Sequence, residues 1–330
     1  MNNIDIIKPV FCITEENEKI INEIENNLDL IIIYDNVRKI KLQIKSKVRS
    51  IHSSLAIEAN SLSLESVESI IDNKLVLGNR KEIQEVKNAN ELYEHINDYN
   101  WKDEKDFIKA HTLMMKYFDD DNGYYRNHGE GVKSGDKVIY SAPQSILVPS
   151  LMKSLFRFMI DNENKIHPLV LSCIFHYYFV YVHPFSDGNG RMARFWVSLI
   201  LTNWNSKFEY IPIEEEIYLN QQKYYDSIAQ CHVNGNANVF IDFMLMCINS
   251  SIEKIIIQET TQKTTQKIKL NKNQLKIIEL IKYNSMITRN ELADKLNITS
   301  DGVKYNLKKL VDNDIIERIG SDNGGYWKIK

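Results

Sequence analysis

The chain is organised around the stretch YVHPFSDGNGRMAR, residues 181–194. The Gly-Asn-Gly turn at residues 188–190 allows backbone N–H groups to converge on an anion. The apolar run FWVSLIL at residues 195–201 predicts a helix that begins near Arg191, and the N-terminus of that helix would point at the same anion. Arg191 and Arg194 lie one helical turn apart and can both bind phosphate. The stretch therefore predicts a phosphate-binding turn at the start of a helix.

Two side chains beside this turn indicate acid–base and metal chemistry. His183, whose ordinary pKa is about 6.5, can accept a proton at neutral pH. Asp187 is placed to hold a Mg²⁺ ion that bound phosphates share. Together, the base, the metal carboxylate, the phosphate-binding turn and the two arginines indicate nucleotidyl or phosphoryl transfer.

The same stretch resembles the signature of the Fic family, His-x-Phe-x-Asp/Glu-Gly-Asn-Gly-Arg-x-x-Arg. Every fixed position is matched, by His183, Phe185, Asp187, Gly188, Asn189, Gly190, Arg191 and Arg194. The resemblance implies a protein adenylyltransferase that moves AMP from Mg·ATP to a Ser, Thr or Tyr hydroxyl of a target protein or of itself. In the related Doc proteins the Gly-Arg step is altered and the chemistry becomes phosphorylation. The intact Gly190–Arg191 step favours AMP transfer.

The resemblance also implies a role for each residue of the signature. His183 deprotonates the target hydroxyl, and Asp187 holds Mg²⁺ between the α- and β-phosphates of ATP. Arg194 holds the γ-phosphate. The residues that cradle phosphate are Gly188, Asn189, Gly190 and Arg191.

A dinucleotide-binding fingerprint is the alternative interpretation of this stretch. Gly188, Gly190 and Ala193 fit its spacing, and Glu209 follows about twenty residues later. That fingerprint requires alternating strands and helices around it, whereas the patterns here are mostly helical. It also leaves both arginines of the signature unexplained.

A second resemblance lies at the end of a long helical pattern that runs from about Leu28 to Ala59. Residues of about 50–60 resemble the inhibitory helix of Fic proteins, Ser/Thr-x-x-x-Glu-Gly/Asn, and Ser54 and Glu58 match it. Ala59 stands where the family has Gly or Asn, the residues that favour a left-handed helix cap. We expect Asn60 to cap the helix instead, one residue later. An ordinary exposed glutamate at a helix end is the alternative for Glu58.

The remaining patterns of this domain also fit the family. A hairpin is predicted at about residues 130–141, with a turn at Ser134-Gly135-Asp136. Fic proteins carry such a hairpin, the flap, which holds a target segment by strand addition. Residues 169–182 are apolar nearly all round, which predicts a central buried helix ending at the signature. Tyr224 and Tyr225 match a pair that lies near the adenine in Fic proteins, or are core aromatics.

The C-terminal part of the chain is predicted to be a separate module. Residues 258–270 are repetitive and poor in apolar side chains, as is typical of a linker. Residues 271–330 predict three short helices, one opened by a capping box at Thr288, and a two-stranded wing, which resembles a winged helix-turn-helix. This module carries 11 Lys and Arg against 8 Asp and Glu, while the remainder carries 30 against 36. The predicted recognition helix carries Lys304, Lys308 and Lys309. These lysines are compatible with binding to duplex DNA, and the alternative is that they face solvent in a module that contacts proteins.

Composition narrows the class of protein. A chain of 330 residues, 43% of them hydrophobic, is expected to form two domains, each with a hydrophobic core. A net charge of −3 excludes a nucleic-acid-binding surface that extends over the whole chain. Four widely spaced cysteines predict buried free thiols, and no zinc spacing is present. The N-terminus lacks a signal-like run, and residues 169–182 are too short to span a bilayer. We therefore expect a soluble cytoplasmic protein without a membrane partner, and homo-oligomerisation is compatible with the sequence.

The sequence thus predicts an all-α Fic fold with a small β-hairpin flap, plus a C-terminal winged helix. The expected boundaries are an N-terminal segment at 1–27, a Fic domain at 28–257, a linker at 258–270 and a winged helix at 271–330. The expected function is AMP transfer from Mg·ATP, restrained by Glu58. Removal of AMP from a modified protein is the alternative reaction. A DNA-binding regulator whose Fic domain senses nucleotide is the alternative from another class.

Overall fold

The structure, a computed structural model, describes residues 8–31, 36–118, 122–134, 137–261, 270–321 and 324–330. The chain divides into two compact units. The first comprises the residues up to Ile31 together with Ser46–Ile257, and the second comprises Ile32–Lys45 together with Gln258–Lys330. The second unit therefore includes a segment that the sequence-based boundaries place in the Fic domain.

The regular structure described in the first unit is helical apart from one hairpin. Helix α2 begins in the second unit and ends in the first. The helices of the first unit are α1 (Glu15–Leu30), α2 (Asn36–Ile57), α3 (Leu64–Ile71), α4 (Arg80–Glu94), α5 (Glu104–Met114), α6 (Val148–Asn162), α7 (Pro168–Val182), α8 (Asn189–Trp204), α9 (Ile213–Leu219), α10 (Gln221–Asn234) and α11 (Asn238–Thr261). Short 3₁₀ helices lie at Ile96–Asp98, Ser145–Leu147 and Ser206–Tyr210. The hairpin is β1 (Gly131–Ser134) paired antiparallel with β2 (Lys137–Ser141).

The hairpin lies where the flap is predicted. Gly131 is opposite Ser141 and Ser134 is opposite Lys137, with a register shift between Val132 and Lys133. Residues 135 and 136 of the predicted turn lie outside the described residues. Ala142 donates its backbone N–H to the carbonyl oxygen of Glu130 (3.0 Å), which extends the pairing at the base of the hairpin.

Helix α7 is the central helix of the first unit. All of its residues except Pro168, Val180 and Tyr181 are buried, as expected for a helix that is apolar nearly all round. It ends at His183 because Pro184 disfavours helical geometry in the residue before it. Phe185 follows, fully buried, and its ring stacks on that of Phe107. The loop that carries the signature is therefore anchored in the core directly after α7.

The N-terminal helices differ from the single long helix predicted from Leu28 to Ala59. Helix α1 begins much earlier, after a capping box in which Thr14 accepts the backbone N–H of Asn17. Ile21, Ile24 and Leu28 are buried at three- and four-residue spacing, a periodicity that the polar composition of residues 1–27 obscures.

Besides the start of α2 and the end of α11, the described residues of the second unit form three helices and a two-stranded wing. They are α12 (Lys272–Tyr283), α13 (Arg289–Leu296), α14 (Ser300–Asp312), β3 (Ile316–Ile319) and β4 (Tyr326–Ile329). The predicted capping box is present at Thr288, whose side chain accepts the backbone N–H of Glu291. Val37 and Ile40 from the start of α2 belong to the same buried apolar cluster as Ile278 and Leu310. This shared cluster explains why the described part of this segment, residues 36–45, falls in the second unit.

The observed architecture confirms the predicted fold class, an all-α domain with a small hairpin followed by a winged helix. Helix α11 extends to Thr261, into the predicted linker, and residues 262–269 lie outside the described part of the chain.

Two further expectations from composition can be compared with the structure. All four cysteines are unpaired, but only Cys173, Cys231 and Cys247 are buried. The prediction of burial is wrong for Cys12, which lies in the extended segment before α1 and is exposed. Among the described helices, none is long and apolar enough to cross a membrane.

Candidate active site

His183 is the residue at which α7 ends. Its backbone is left-handed, with φ 48° and ψ 60°, and its N–H donates to the carbonyl oxygen of Phe179 (2.9 Å). A left-handed non-glycine residue costs about 1–2 kcal/mol, so the surroundings must stabilise it. Burial and the charge of Arg126 lower the pKa of His183, and together they outweigh the opposing effects of Glu130 and Glu58. The imidazole is therefore neutral at pH 7 and able to accept a proton.

Arg126 provides much of that stabilisation. Its guanidinium is buried and donates to four backbone carbonyl oxygens: Nε to His183 (2.7 Å), Nη1 to His128 (2.7 Å), and Nη2 to Pro143 (2.6 Å) and Val182 (3.3 Å). Its backbone N–H donates to the carbonyl oxygen of Pro184 (2.9 Å). A cation at the C-terminus of α7 also interacts favourably with the helix dipole. Arg126 thus joins the two ends of the hairpin to the loop of His183.

The turn that the sequence predicts to bind phosphate lies at the start of α8. Gly188 is the N-cap with φ 83°, a conformation that favours glycine, and the first helical bond runs from the N–H of Met192 to its carbonyl oxygen. The first N–H groups of a helix have no intrahelical acceptor, so those of residues 189–191 are available to an anion. The side chain of Asn189 does not face this anion position. It pairs with the backbone N–H and carbonyl of Phe185 and so braces the loop.

Asp187 lies beside Arg191 at the mouth of the turn. Its Oδ1 accepts from Nη2 of Arg191 (2.9 Å) and from the backbone N–H of Gly188 (2.6 Å), and its side chain is 53% exposed. Burial raises its pKa, but the charge of Arg191 and these hydrogen bonds outweigh that effect, so the pKa of Asp187 is lowered. No group of three or more His, Cys, Asp or Glu in the described part of the chain could hold a metal alone. One exposed carboxylate does fit Mg²⁺, which is typically held by one or two carboxylates together with substrate phosphates and water.

Behind this carboxylate, the ring of His111 stacks on that of Phe185, with centroids 3.5 Å apart. Its Nδ1 accepts the backbone N–H of Gly123 (3.0 Å). This assigns the proton to Nε2, which donates to the carbonyl oxygen of Asp187 (3.0 Å). His111 therefore fixes the backbone that carries the carboxylate.

Arg194, one turn into α8, binds the end of α2. Its Nε donates to Ser54 Oγ (3.0 Å), and its Nη2 donates to the Ser54 carbonyl oxygen (2.9 Å) and to Glu58 Oε1 (2.7 Å). The guanidinium is buried, and burial lowers its pKa, but the carboxylate of Glu58 outweighs this and the pKa is raised. Nη1 of Arg194 is buried without a hydrogen-bond partner, as is Nε of Arg191. Two arginines of the turn thus have unused donors.

The carboxylate of Glu58 occupies space beside the turn itself. A Cβ atom placed on Gly190 would lie 2.1 Å from Glu58 Oε1 and 3.1 Å from Arg194 Nη1. Any residue other than glycine at this position would therefore displace Glu58. The Glu58 carboxylate thus lies beside the N–H groups of the turn and beside Arg194, all of which favour negative charge.

The end of α2 differs from the expected cap at Asn60. Ala59 itself adopts the left-handed conformation, with φ 67°. The side chain of Asn60 instead donates to Glu85 Oε2 (2.9 Å) and accepts the backbone N–H of Leu62 (3.1 Å). The predicted shift of the cap is wrong because these contacts use Asn60 elsewhere. Ala59 carries the backbone strain that Gly or Asn would relieve.

The two tyrosines have different surroundings. Tyr224 is 2% exposed, and its hydroxyl bonds to Nε2 of His176 (2.9 Å) in the core. Tyr225 is 45% exposed, and its hydroxyl donates to the carbonyl oxygen of Ile57 (3.2 Å). Gln221 donates to the same oxygen (3.0 Å). Tyr225 and Gln221 thus secure the last turn of α2, while the adenine-binding role of the tyrosine pair stays a prediction.

Comparisons with known proteins agree with this geometry. Residues 101–201 match the model of the Fic/DOC family, and residues 270–317 match a winged helix-turn-helix DNA-binding model. A protein adenylyltransferase Fic of Nematostella vectensis is 26% identical over 219 residues, covering 64% of this chain and 49% of that protein. A probable protein adenylyltransferase of Aquifex aeolicus is 26% identical over 210 residues, covering 57% of this chain and 63% of that protein. The chain thus spans less than two thirds of the length of the curated relatives it matches.

Among solved structures, the similarity extends over almost the whole chain. A Fic family protein from Desulfovibrio desulfuricans G20 superposes with a TM-score of 0.72 and 31% sequence identity, over 98% of both chains. This match includes both units, and the signature loop lies within the matched family model. The chain belongs to the Fic family.

Proposed function

We propose that this protein is an adenylyltransferase that transfers AMP from Mg·ATP to a hydroxyl side chain of a protein, which can be the enzyme itself. The observation that carries the proposal is the pair of buried arginine donors, Arg191 Nε and Arg194 Nη1, beside a helix start and the neutral base His183. Unpaired buried donors are costly in a protein, and an anionic ligand such as a nucleotide phosphate would satisfy both. The relatives named adenylyltransferases support the same reaction.

The proposed mechanism uses residues of the signature loop. The hydroxyl oxygen of the target forms a bond to the α-phosphorus of ATP, the bond from that phosphorus to the β-phosphate oxygen breaks, and pyrophosphate leaves. The imidazole of His183 accepts the hydroxyl proton. Asp187 would hold Mg²⁺, which neutralises phosphate charge when bound. The turn binds phosphate through the backbone N–H groups of residues 189–191, and Arg194 receives the γ-phosphate.

Glu58 restrains this reaction in the proposal. An Arg–carboxylate contact supplies a charge-assisted hydrogen bond, and Glu58 holds Arg194 by such a bond. While Glu58 occupies the guanidinium, the γ-phosphate meets a carboxylate instead of a cation. ATP would then bind with its α-phosphate turned away from in-line attack, which can reduce the rate about 10²-fold.

The test uses ATP labelled at either the α- or the γ-phosphate. Wild type and Glu58→Gly are incubated separately with Mg²⁺ and [α-³²P]ATP or [γ-³²P]ATP, and the intact mass of the protein is measured in parallel. We expect label from the α-position alone and a mass increase equal to one or more AMP groups. Label from the γ-position would indicate phosphorylation and contradict the proposal. Loss of AMP from protein modified beforehand would favour the reverse reaction.

For the second unit we propose duplex DNA as the partner. The observations that favour it are the winged helix match and the exposed side chains of α14, the predicted recognition helix, where Lys304 and Lys308 flank Tyr305. A fluorescent duplex titrated at several salt concentrations provides the test. Replacing a lysine that contacts phosphate should lower the slope of the logarithm of the binding constant against the logarithm of the salt concentration by about one. Absence of binding at low salt would favour a protein partner at this unit.

A cytoplasmic location is also part of the proposal. Four unpaired cysteines are typical of a reducing compartment, and ATP is the substrate proposed above.

A further inference from the structure

Glu214, near the start of α9, is a buried carboxylate. It is 1% exposed, and its described partners are three hydroxyl groups rather than a cation. Ser50 donates to Oε2 (2.6 Å), while Tyr93 (2.9 Å) and Ser198 (2.7 Å) donate to Oε1. Removing a carboxylate from water is costly even when it is fully hydrogen-bonded. An apolar residue would fill this space without that cost. The presence of a carboxylate here therefore indicates a role other than packing.

The three hydroxyls come from three different helices. Ser50 lies on α2, Tyr93 on α4 and Ser198 on α8. Glu214 is therefore a junction that ties α2 to α8 and to α4. Of these, α2 carries the inhibitory residue and α8 carries the arginine that it binds.

The junction lies one helical turn from the inhibitory contact. On α2, Ser50, Ser54 and Glu58 are spaced four residues apart, so they follow one face of the helix. On α8, Arg194 and Ser198 have the same spacing. The seam between the two helices thus has two polar layers: Ser54 and Glu58 with Arg194, and, one turn along, Ser50 with Ser198 through Glu214.

This arrangement fixes the axial position of α2 against α8. A helix rises about 1.5 Å per residue, so a slide of α2 by a single residue would lengthen or misalign the hydrogen bonds that Arg194 makes to Ser54 and Glu58. Arg194 opposes such a slide through two hydrogen bonds to Ser54 and one to Glu58, whose side chain is 35% exposed. The fully buried junction at Glu214 adds a second link between α2 and α8, one turn away.

We propose that Glu214 is a positioning residue for inhibition, which locks α2 to α8 so that Glu58 stays on Arg194. The inference rests on the restraint proposed for Glu58. Weakening the junction should loosen the end of α2, free Arg194 for the γ-phosphate and raise the rate of AMP transfer. A residue that only supported folding would lower the rate instead.

The experiment compares two backgrounds in the full-length chain. Glu214→Gln, Ser50→Ala and Ser198→Ala are each made in the wild type and in Glu58→Gly, and initial rates of self-modification are measured with Mg·[α-³²P]ATP. In the wild-type background we expect each variant to be about tenfold faster, equivalent to the loss of one hydrogen bond to a charged group. In the Glu58→Gly background the same substitutions should change the rate less than twofold, since no inhibitory contact remains to be positioned.

Two further variants sharpen the result. Ser50→Thr keeps the hydroxyl and should return the rate to that of the wild type. Glu216→Gln is the matched control, because Glu216 is a buried carboxylate on the same helix that pairs with Lys254 instead. Glu216→Gln should leave unchanged the ratio of the rate in the Glu58→Gly background to the rate in the wild-type background. Ser50→Ala removes a single oxygen atom, so it tests the junction even if Glu214→Gln does not fold.

The possible failures are distinct. A rise that persists in the Glu58→Gly background, or a fall in the wild-type background, would overturn the role of Glu214 and leave the restraint by Glu58 intact. Equal rates for Glu58→Gly and the wild type would overturn the restraint itself, and with it this inference.

Discussion

The interiors of the two units differ in what they bury. The first unit buries charged side chains, whereas the second buries an aliphatic cluster. Among the described residues of the second unit, the buried polar ones are Gln274 and Asn306. The buried charged residues of the first unit are Arg126, Arg191, Arg194, Glu214 and Glu216. Buried charges require hydrogen-bond partners and rarely add net stability over apolar packing. The interior of the first unit is therefore suited to supporting a reactive site. The interior of the second unit is suited to holding the exposed face of α14 in place.

This comparison predicts that substitutions inside the first unit change the reaction, while those inside the second change only stability. The largest expected effect is that of His183→Ala. Made in the Glu58→Gly background, it should reduce AMP transfer by about 10²–10⁴-fold, because the general base is removed. ATP affinity, measured by calorimetry, should change less than twofold, since His183 acts on the target hydroxyl. Transfer at the undiminished rate would contradict its role.

Glu58→Gly should have the next largest effect, in the opposite direction. Releasing Arg194 should raise self-modification about 10²-fold, because the nucleotide can then adopt in-line geometry. Glu58→Gln serves as a graded control: it keeps the length of the side chain but removes its charge, so its rate should lie between the other two. Thermal unfolding measured beside activity separates this effect from a weakened helix end. Equal initial rates at saturating Mg·ATP would refute the restraint.

Arg126→Gln should reduce AMP transfer about tenfold in the Glu58→Gly background, since the loop of His183 loses its support. Removing the cation also removes an influence that lowers the pKa of His183, so that pKa should rise. The base is then protonated over a wider range, and the acid limb of the pH–rate profile should move to higher pH. Arg157→Gln, an exposed arginine on α6, is the control and should leave the profile unchanged. A lower rate with an unmoved acid limb would indicate a structural role alone.

A smaller effect is expected from Ala59→Gly. Ala59 is left-handed, and glycine there removes a strain of about 1 kcal/mol. The end of α2 should become more stable, and basal self-modification should fall severalfold. Ala56→Gly, the same substitution inside the helix, should weaken the helix by a similar amount and raise the rate. Changes of the same sign in both variants would show that the left-handed residue does not govern the inhibitory contact.

The sequence predicts the parts of the site that are contiguous. The signature, the helix start at α8 and the Ser54–Glu58 match all lie within short stretches whose spacing has a direct geometric meaning. Arg126 and Glu214 have no such pattern, because their partners are backbone carbonyls and hydroxyls from distant helices. The pairing of Asn189 with Phe185 is local, yet the sequence does not show whether an Asn at a turn faces a ligand or braces the loop.

The fold shows the same division between local and long-range information. Caps and turns predict α13 and the hairpin well, since Thr288 and the flap residues carry local signals. The position of α1 and the inclusion of residues 36–45 in the second unit depend on contacts with residues more than two hundred positions away. Val37 and Ile40 fit the apolar face of a long helix equally well in either unit, so periodicity alone does not assign them.

The smallest expected effect on the reaction belongs to the core of the second unit. Leu310 is fully buried in the apolar cluster, so Leu310→Ala should destabilise this unit by about 2–5 kcal/mol, through lost burial and the cavity left behind. Hydrogen exchange of α12–α14 amides would report this loss directly. The neighbouring Val311 is 42% exposed, so Val311→Ala is the matched control and should have little effect. Because no charged group is buried in the described part of this core, AMP transfer below the unfolding temperature should stay within twofold of the wild type for both variants. A larger change for Leu310→Ala alone would show that the second interior also governs the reaction. The route for such an effect would be α2, whose first turns contribute Val37 and Ile40 to the same cluster and whose last residue, Ile57, directly precedes Glu58.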